Sequence, residues 1–488
     1  METNGNVTSP LWGETGELWK PEGRLPDFSY AGYGCGNKEL SRPAATANVW
    51  DFGAAGDGEQ DDTEAFERAL AQMGTGVLWI PPGCYKLSGR LRLNRSGVVL
   101  RGAGAEETIL RFTRHLTDIS PDWGATTTGE RTSNYSWSGG LITIAGDFRT
   151  VPVASIVREA AYGERTLYVD STTGLKPGDR VEVFQEDSAD NSLAAHLYSG
   201  DPGDTDKLWG STTASLVAEI VSAGEGCITL NRGLRFDVRA EWQPAIRQFR
   251  PTVEEVGIEG LTLEFPDVPY AGHFREPGYN GIAITQASNC WVGGVTIRNS
   301  DCGMILKGSF CTVRNLVMES FRQPDLASGC TGHHGIYVYG DDNLVESFDY
   351  RSSFIHDISV SKCAGNVFAG GRGLDLCFDH HKRAPYANLF TDIDAGAGTR
   401  LWKSGGGAAL GRHCAARETF WNIRAKQLQQ YPEGFAPASL NLVGYPTAEA
   451  ALCSMDGCWM EPLPAGGCIS PANLYQAQLE RRLQRLQR

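Results

Sequence analysis

The sequence predicts an all-β protein: a right-handed parallel β-helix with an N-terminal capping helix and a small inserted β subdomain. Three observations lead there. Glycine (59) and proline (23) are spread along the 488 residues rather than clustered, which suits many short strands joined by tight turns. After Val256 a loose repeat of about 22 residues emerges, and a period of that length marks stacked units that share one core. Within each repeat one strand alternates apolar and polar residues, so one of its faces is buried and the other looks outward.

The elements follow in order. Residues 1–47 form an N-terminal extension. Asn48 to Leu70 reads as a turn-rich stretch followed by a short helix, with Asp61, Asp62 and Thr63 supplying N-cap oxygens and early negative charge. Gly76-Val77-Leu78-Trp79-Ile80, stopped by Pro81-Pro82, is a buried strand, and Leu91-Arg92-Leu93 and Val98-Val99-Leu100 continue the coil through residue 160. Thr113 to Gly140 is polar and irregular, a long loop. Residues 161–245 contain paired strands with turns between them, an inserted β subdomain or long loops, and its stretch Ser188 to Ser211, with Trp209, overhangs a cleft. The main coils occupy 246–470. Residues 471–488, with Leu474, Leu479, Leu483 and Leu486 among Gln and Arg, form an amphipathic helix that caps the end or packs on another subunit.

Length alone demands no division into separate cores, because elongated all-β folds keep one continuous core at this size. A formal charge of −14 disfavours nucleic acid and anionic membrane, both of which need a basic footprint. No run of eighteen apolar residues spans a bilayer. Thirteen cysteines are an odd number without zinc-site spacing, so at least one is expected to stay free within the chain; Cys290 and Cys311, one repeat apart, are candidates for stacking or bridging. Met1 to Leu25 has no signal-peptide pattern. The chain is therefore either cytoplasmic or begins after a cleavage point, and a secreted or periplasmic location is expected.

The phrases Asp51-Phe52-Gly53-Ala54, Gly56-Asp57-Gly58 and Asp61-Asp62-Thr63 resemble the N-terminal segment shared by polygalacturonases, alginate epimerases, phage tailspikes and the pectate-lyase-like superfamily. That resemblance covers roughly 55 residues and implies a β-helix opened by this segment, with its acids structural rather than catalytic.

One strand of each coil begins successively at Gly281, Gly303, Gly335, Asp357, Asp375 and Arg400, with an insertion from Ser320 to Gly332. Second and fourth positions give an interior of Ile282, Ile284, Met304, Leu306, Ile336, Val338, Ile358, Val360, Leu376 and Phe378. The opposite face then carries Tyr337 and Tyr339, Asp357, Asp375, Asp379, and Arg400 with Trp402. With strands about 4.8 Å apart, Asp357, Asp375 and Arg400 form an outward row, and adjacent carboxylates repel unless they bind a cation, share a proton or grip substrate. Five of the nine histidines gather here: His333, His334, His356, His380 and His381. Together with Lys382, Arg383 and Lys403 they make a basic, titratable patch on an acidic protein, suited to an anionic sugar. Tyr337, Tyr339 and Trp402 are expected to stack on sugar rings.

Pectate-lyase-like enzymes place cation-binding acids and a catalytic Arg or Lys on this face, which the row Asp357, Asp375, Arg400 resembles. Alginate epimerases carry Asp-x-His after a phenylalanine, which Phe378-Asp379-His380-His381 resembles, with His380 in place of the usual proline. The first reading is a polysaccharide lyase that cleaves a uronate-containing glycan by β-elimination. Its catalytic residues are drawn from Asp357, Asp375, Asp379, His381 and Arg400, and Asp357 and Asp375 bind Ca2+ or orient the base. His333, His334, Tyr337, Tyr339, His380, Lys382, Arg383, Trp402 and Lys403 bind substrate. The alternative is a polygalacturonase-like glycoside hydrolase with paired aspartates; a uronate epimerase and a noncatalytic glycan-binding β-helix are further readings. An acidic polysaccharide or oligosaccharide is the expected partner, and an oligomer is open.

Overall fold

The computed structural model describes residues 7–126, 128–208, 210–464 and 467–487, and Trp209 lies outside them. Two parallel stacks run side by side. The first joins Leu91–Leu93, Ile142–Ala145, Asn280–Ser288, Cys302–Ser309, Gly332–Val338, Phe354–Val360 and Phe378–His380, each parallel to the next. The second includes Trp291–Arg298, Thr312–Glu319, Leu344–Glu346, Val367–Ala369, Leu389–Asp394, Thr419–Arg424, Asn441–Tyr445 and Trp459–Pro462, again in parallel register. The chain passes from the first stack to the second through tight corners, where Asn289 (φ 53°) and Phe310 (φ 57°) take left-handed conformations. Parallel strands joined coil after coil in this way are a β-helix.

The interior follows the alternation. All ten expected core residues, from Ile282 to Phe378, are buried in one elongated apolar cluster; each such aliphatic side chain contributes about 1.5–3 kcal/mol. A polar ladder runs through the corners beside it. The Asn343 side-chain amide donates to Asn366 Oδ1 (3.0 Å), Asn366 to Asn388 Oδ1 (2.9 Å), and Asn388 to Glu418 Oε2 (3.2 Å). Each buried amide is satisfied by its neighbour one coil on, the requirement for burying polar groups at all. Cys290 and Cys311 stack one coil apart but remain thiols, donating to the backbone carbonyls of Ser288 and Ala287.

The helix Thr63–Gln72 buries Ala65, Phe66 and Ala69, and the Phe66 ring meets Tyr85 edge-on at 5.6 Å. Asp62 does not cap this helix. Its carboxylate instead accepts the N–H groups of Ala55 (2.7 Å) and Gly56 (3.1 Å), while Asp61 accepts the N–H of Thr63 (3.1 Å). These acids hold the preceding loop, which is a structural use.

Six antiparallel strands between Val151 and Gln248 form a separate sheet with its own core. It docks on the coils through a buried cluster in which Arg232 lies 2.7 Å from Asp342 and Arg235 also pairs with Asp342.

The helix Leu474–Leu486 does not close the end of the coil. It buries Leu474 and Tyr475 along the flank, together with Leu11, Trp12 and Phe28, against Leu344, Val367, Leu389, Trp421 and Val443 of the second stack. Those strands are apolar on both faces, so the outer face needs a cover. Among the described residues no helix is long and apolar enough to cross a membrane.

Candidate active site

Three consecutive strands build the site. Their register aligns His334 with His356, and Tyr337 with Ser359 and then Asp379. His334 and Tyr337 are three apart yet stack at 4.9 Å, so two successive residues between them leave the outer face. Gly335 can do this because it lacks a side chain: a Cβ there would strike the Tyr350 ring and the Asp357 carbonyl oxygen. Strict alternation, which put Gly335 and Asp357 on the outside, fails at this bend.

The expected acidic row is therefore corrected. Ile358 pairs with Phe378, so Asp357 lies beside Cys377 and not Asp375, a slip of two residues. The cause is the irregular segment Leu374–Cys377, where Asp375 makes an antiparallel bridge to Gly396 instead of joining the strand. Asp357 is buried (1% exposed). Its carboxylate accepts the N–H groups of Phe354 (2.9 Å) and Cys377 (2.9 Å) and pairs with Arg400 Nη2 at 2.5 Å. Burial pushes this carboxyl up, against the pull of Arg400. Asp375 accepts the N–H of Thr399 at 2.8 Å, and its hydroxyl as well. Arg400 begins no strand; from a turn it donates to the carbonyls of Phe354 (2.7 Å) and Asp375 (2.8 Å). The guanidinium fills the space between the two carboxylates, so they do not present the open oxygen cage that Ca2+ requires. The trio braces a loop against the coil.

His380 is corrected too. It aligns with Val360 and points inward, with Nε2 2.8 Å from Glu418 Oε1, among Phe390, Phe420 and Phe435. Trp402 faces another cavity of about 750 Å³, beside His413 and Tyr431, and its indole N–H donates to Tyr445. Lys403 is exposed and Lys382 half-buried, and neither lines the cleft on the outer strand face.

What the tertiary structure does bring together is a cleft of about 560 Å³ on the outer face of these strands. His333, His334, His356, His381 and Tyr337, from the strands and their ends, form its floor, and His273, Phe274, Trp137, Lys307, Tyr339 and Arg383 also line it. His273, Phe274 and Trp137 come from distant segments, and Lys307 from the strand one coil earlier.

Beneath the floor sits Asp379, fully buried. It accepts His381 Nδ1 at 3.0 Å, Ser359 Oγ at 2.8 Å and the Gly405 N–H at 2.7 Å, with His356 Nδ1 at 3.2 Å. Burial works against its charge, yet His356 and His381 hold the carboxyl well below the usual carboxylate range. Burial pushes His356 down to about 4 despite Asp379. Burial and the surrounding imidazoles likewise hold His333 and His334 far below the ordinary histidine range. Because Nδ1 of His381 is held by Asp379, its Nε2 is the nitrogen left for the cleft. This is the base-with-orienter arrangement of general acid–base sites. Burial also raises the Tyr337 phenol and lowers the Lys307 ammonium.

Four residues of the site were given no catalytic or binding role from the sequence, although His356 was counted in the histidine patch. His356 lies in register with His334, a signal that a coil alignment carries. Lys307 falls on the outward face of its strand. His273 and Glu276 sit in a non-repeating segment with no periodicity to read.

Architecture and cleft together define a parallel β-helix protein with an imidazole-rich groove along one strand face. Residues 46–154 match the family model described as Rhamnogalacturonase A/epimerase, pectate lyase-like. Mannuronan C5-epimerase AlgE3 of Azotobacter vinelandii is 35% identical over 100 residues, 19% of this chain and 5% of that protein. Alginate lyase 7 of the same organism is 33% identical over 109 residues, 20% of this chain and 12% of its own length. This chain thus spans a small fraction of the curated relatives it matches. Among solved structures, the AlgE4 A-module of Azotobacter vinelandii aligns over 82% of this chain and 76% of its own, at 14% identity and a TM-score of 0.27. The tailspike protein gp49 from Pseudomonas phage LKA1 aligns over 82% and 83%, at 13% identity and a TM-score of 0.34.

Proposed function

We propose that the chain is a polysaccharide lyase that cleaves a uronate-containing glycan by β-elimination in this cleft. The observation that carries the reading is the Asp379–His381 pair, a base oriented from below, facing a groove that Lys307 and Arg383 also line. A uronate sugar has an acidic C5–H beside its carboxylate. Removing that proton builds negative charge on the carboxylate, and a nearby cation stabilises it. His381 Nε2 takes the proton, Lys307 or Arg383 faces the carboxylate, and the Tyr337 hydroxyl donates a proton to the departing glycosidic oxygen. Tyr337, Tyr339 and Trp137 offer stacking surfaces for sugar rings.

Epimerisation is the second reading, since it shares the first step and differs only in returning a proton to the opposite face. Phe378-Asp379-His380-His381 and the relatives named as mannuronan epimerases favour keeping it. The paired-aspartate hydrolase loses support: among the described residues no carboxylate lines the cleft. The relatives make alginate-type polyuronates the first substrates to try. A polymeric substrate of this kind also favours a secreted or periplasmic location, which we propose for the working protein.

The test is incubation with a panel of acidic and neutral glycans. Ultraviolet absorbance from a new unsaturated bond, lost in His381→Ala, supports the lyase. Inverted C5 configuration without chain cleavage supports the epimerase, and reducing ends without unsaturation would overturn both.

A further inference from the structure

We propose that His273, His333 and His356 bind a divalent transition-metal ion, of which Zn2+ is the representative, in the floor of the cleft. Ion binding at these three imidazoles is independent of which glycan the cleft accepts and is measurable without turnover.

Four observations support it. Ligand nitrogens of the three imidazoles all lie within 4.8 Å of one another, and the rings of His273 and His333 approach to 4.6 Å, those of His333 and His356 to 5.4 Å. Small side-chain adjustments bring such a set to the usual zinc–nitrogen distance of about 2.0–2.1 Å.

Second, two of the three, His333 and His356, are buried polar rings on adjacent strands. Burying a polar ring is uncommon without a partner for it and calls for an explanation. Nothing about coil packing requires two adjacent strands to place imidazoles there, and aliphatic residues would fill the same face at no polar cost.

Third, each buried imidazole has a carboxylate behind it. Glu276 Oε1 lies 3.2 Å from His333 Nδ1 and Asp379 Oδ2 lies 3.2 Å from His356 Nδ1. Glu276 is itself clamped by the Tyr270 hydroxyl (2.5 Å) and the Ser136 hydroxyl (2.7 Å). Anchored carboxylates behind metal-bound histidines orient the rings and increase their basicity.

Fourth, the third imidazole is accessible. His273 is exposed and lines the cleft wall, so an ion can enter from solvent and keep a position open towards the groove. A nitrogen-only set selects zinc, copper, nickel, cobalt or iron over calcium and magnesium, which prefer oxygen. The structure thus moves the expected cation from Asp357 and Asp375 to a different place and a different class of metal. A second cluster, His356, Asp379 and His381, shares one residue with this one; it contains the Asp379–His381 hydrogen bond that already satisfies both groups.

The experiment uses the full-length chain stripped with a chelator, titrated calorimetrically with Zn2+ alone and Ca2+ alone, and with Co2+ followed by visible absorption. One Zn2+ per chain with submicromolar affinity and a nitrogen-ligated Co2+ spectrum are expected. His273→Ala should weaken Zn2+ by about tenfold or more, with its melting temperature unchanged because that side chain is exposed. His356→Gln and His333→Gln should do the same where their melts show a folded chain. Absence of Zn2+ and Co2+ uptake by the wild-type chain would overturn the proposal. So would uptake indifferent to His273→Ala and lost in His381→Ala, which puts the ion on the other cluster.

Discussion

Asp379 Oδ2 lies 3.0 Å from His381 Nδ1 and 3.2 Å from His356 Nδ1, so one buried carboxylate holds two imidazoles that face the same cleft. His381 is 29% exposed and His356 7%; the first is placed to meet substrate and the second to support it.

Replacing His381 by Ala is expected to lower kcat on an active polyuronate by about 10²–10⁴, the usual contribution of a general base. Asp379→Asn should lower kcat with little change in KM, because it disorients the imidazole without removing a substrate contact. Initial-rate kinetics on the two variants check this, and unchanged kcat in both would move the chemistry elsewhere in the groove.

Lys307 and Arg383 both line the cleft, and Lys307 also lies over the Tyr339 ring at 5.6 Å. Lys307→Met is expected to raise KM for an acidic glycan, or lower kcat where the ammonium faces the reacting carboxylate, and to leave binding of a neutral oligosaccharide unaltered. Kinetics and binding at low and high salt read the difference, since a charge contact in an open cleft weakens with ionic strength, less steeply for a half-buried ammonium such as Lys307.

The Asp357–Arg400 pair is a brace, so its loss should be read in stability. Arg400→Ala leaves a buried carboxylate without its partner and is expected to cost about 3–5 kcal/mol. Asp357→Asn keeps acceptor capacity for the Phe354 N–H and should cost less. Urea denaturation of both variants is the measurement; a native midpoint in Arg400→Ala would show the pair to be dispensable.

Burial raises the Asp341 carboxyl to about 7, while its unfolded value is about 3.9. Between those values the unfolded chain has lost this proton and the folded chain keeps it. Raising pH through that window therefore destabilises the fold, by at most about 1.4 kcal/mol per pH unit. Asp341→Asn retains an acceptor for the Ala364 N–H, made at 2.7 Å, and removes the titration. Its stability relative to the wild type should rise from pH 4 to pH 8, as measured by denaturant unfolding at both ends.

Much of the coil was legible because strand alternation is local. Ile282, Ile284, Met304 and Leu306 declare an interior without reference to anything distant, and Tyr337 and Asp379 fall on the opposite strand face by the same rule, although Asp379 is covered there and fully buried. The histidine concentration and Phe378-Asp379-His380-His381 located the cleft to within one strand face. His380 was misplaced because register between coils depends on the length and shape of the intervening loop. The irregular segment Leu374–Cys377 takes up two more residues than the apolar pattern suggests.

The sequence by itself determined the repeat, the buried face of each strand and the clustering of imidazoles on three successive coils. All three follow from the period-two geometry of a strand and the spacing of the repeat. Tertiary structure alone decided that Asp357 turns under the surface onto Arg400, that His273 and Glu276 arrive from a non-repeating loop, and that Asp379 rather than Asp357 supports the cleft. Those outcomes depend on which segments cover the outer face and how coils register across loops. Both are set by contacts between residues far apart in the chain, and no local pattern encodes them.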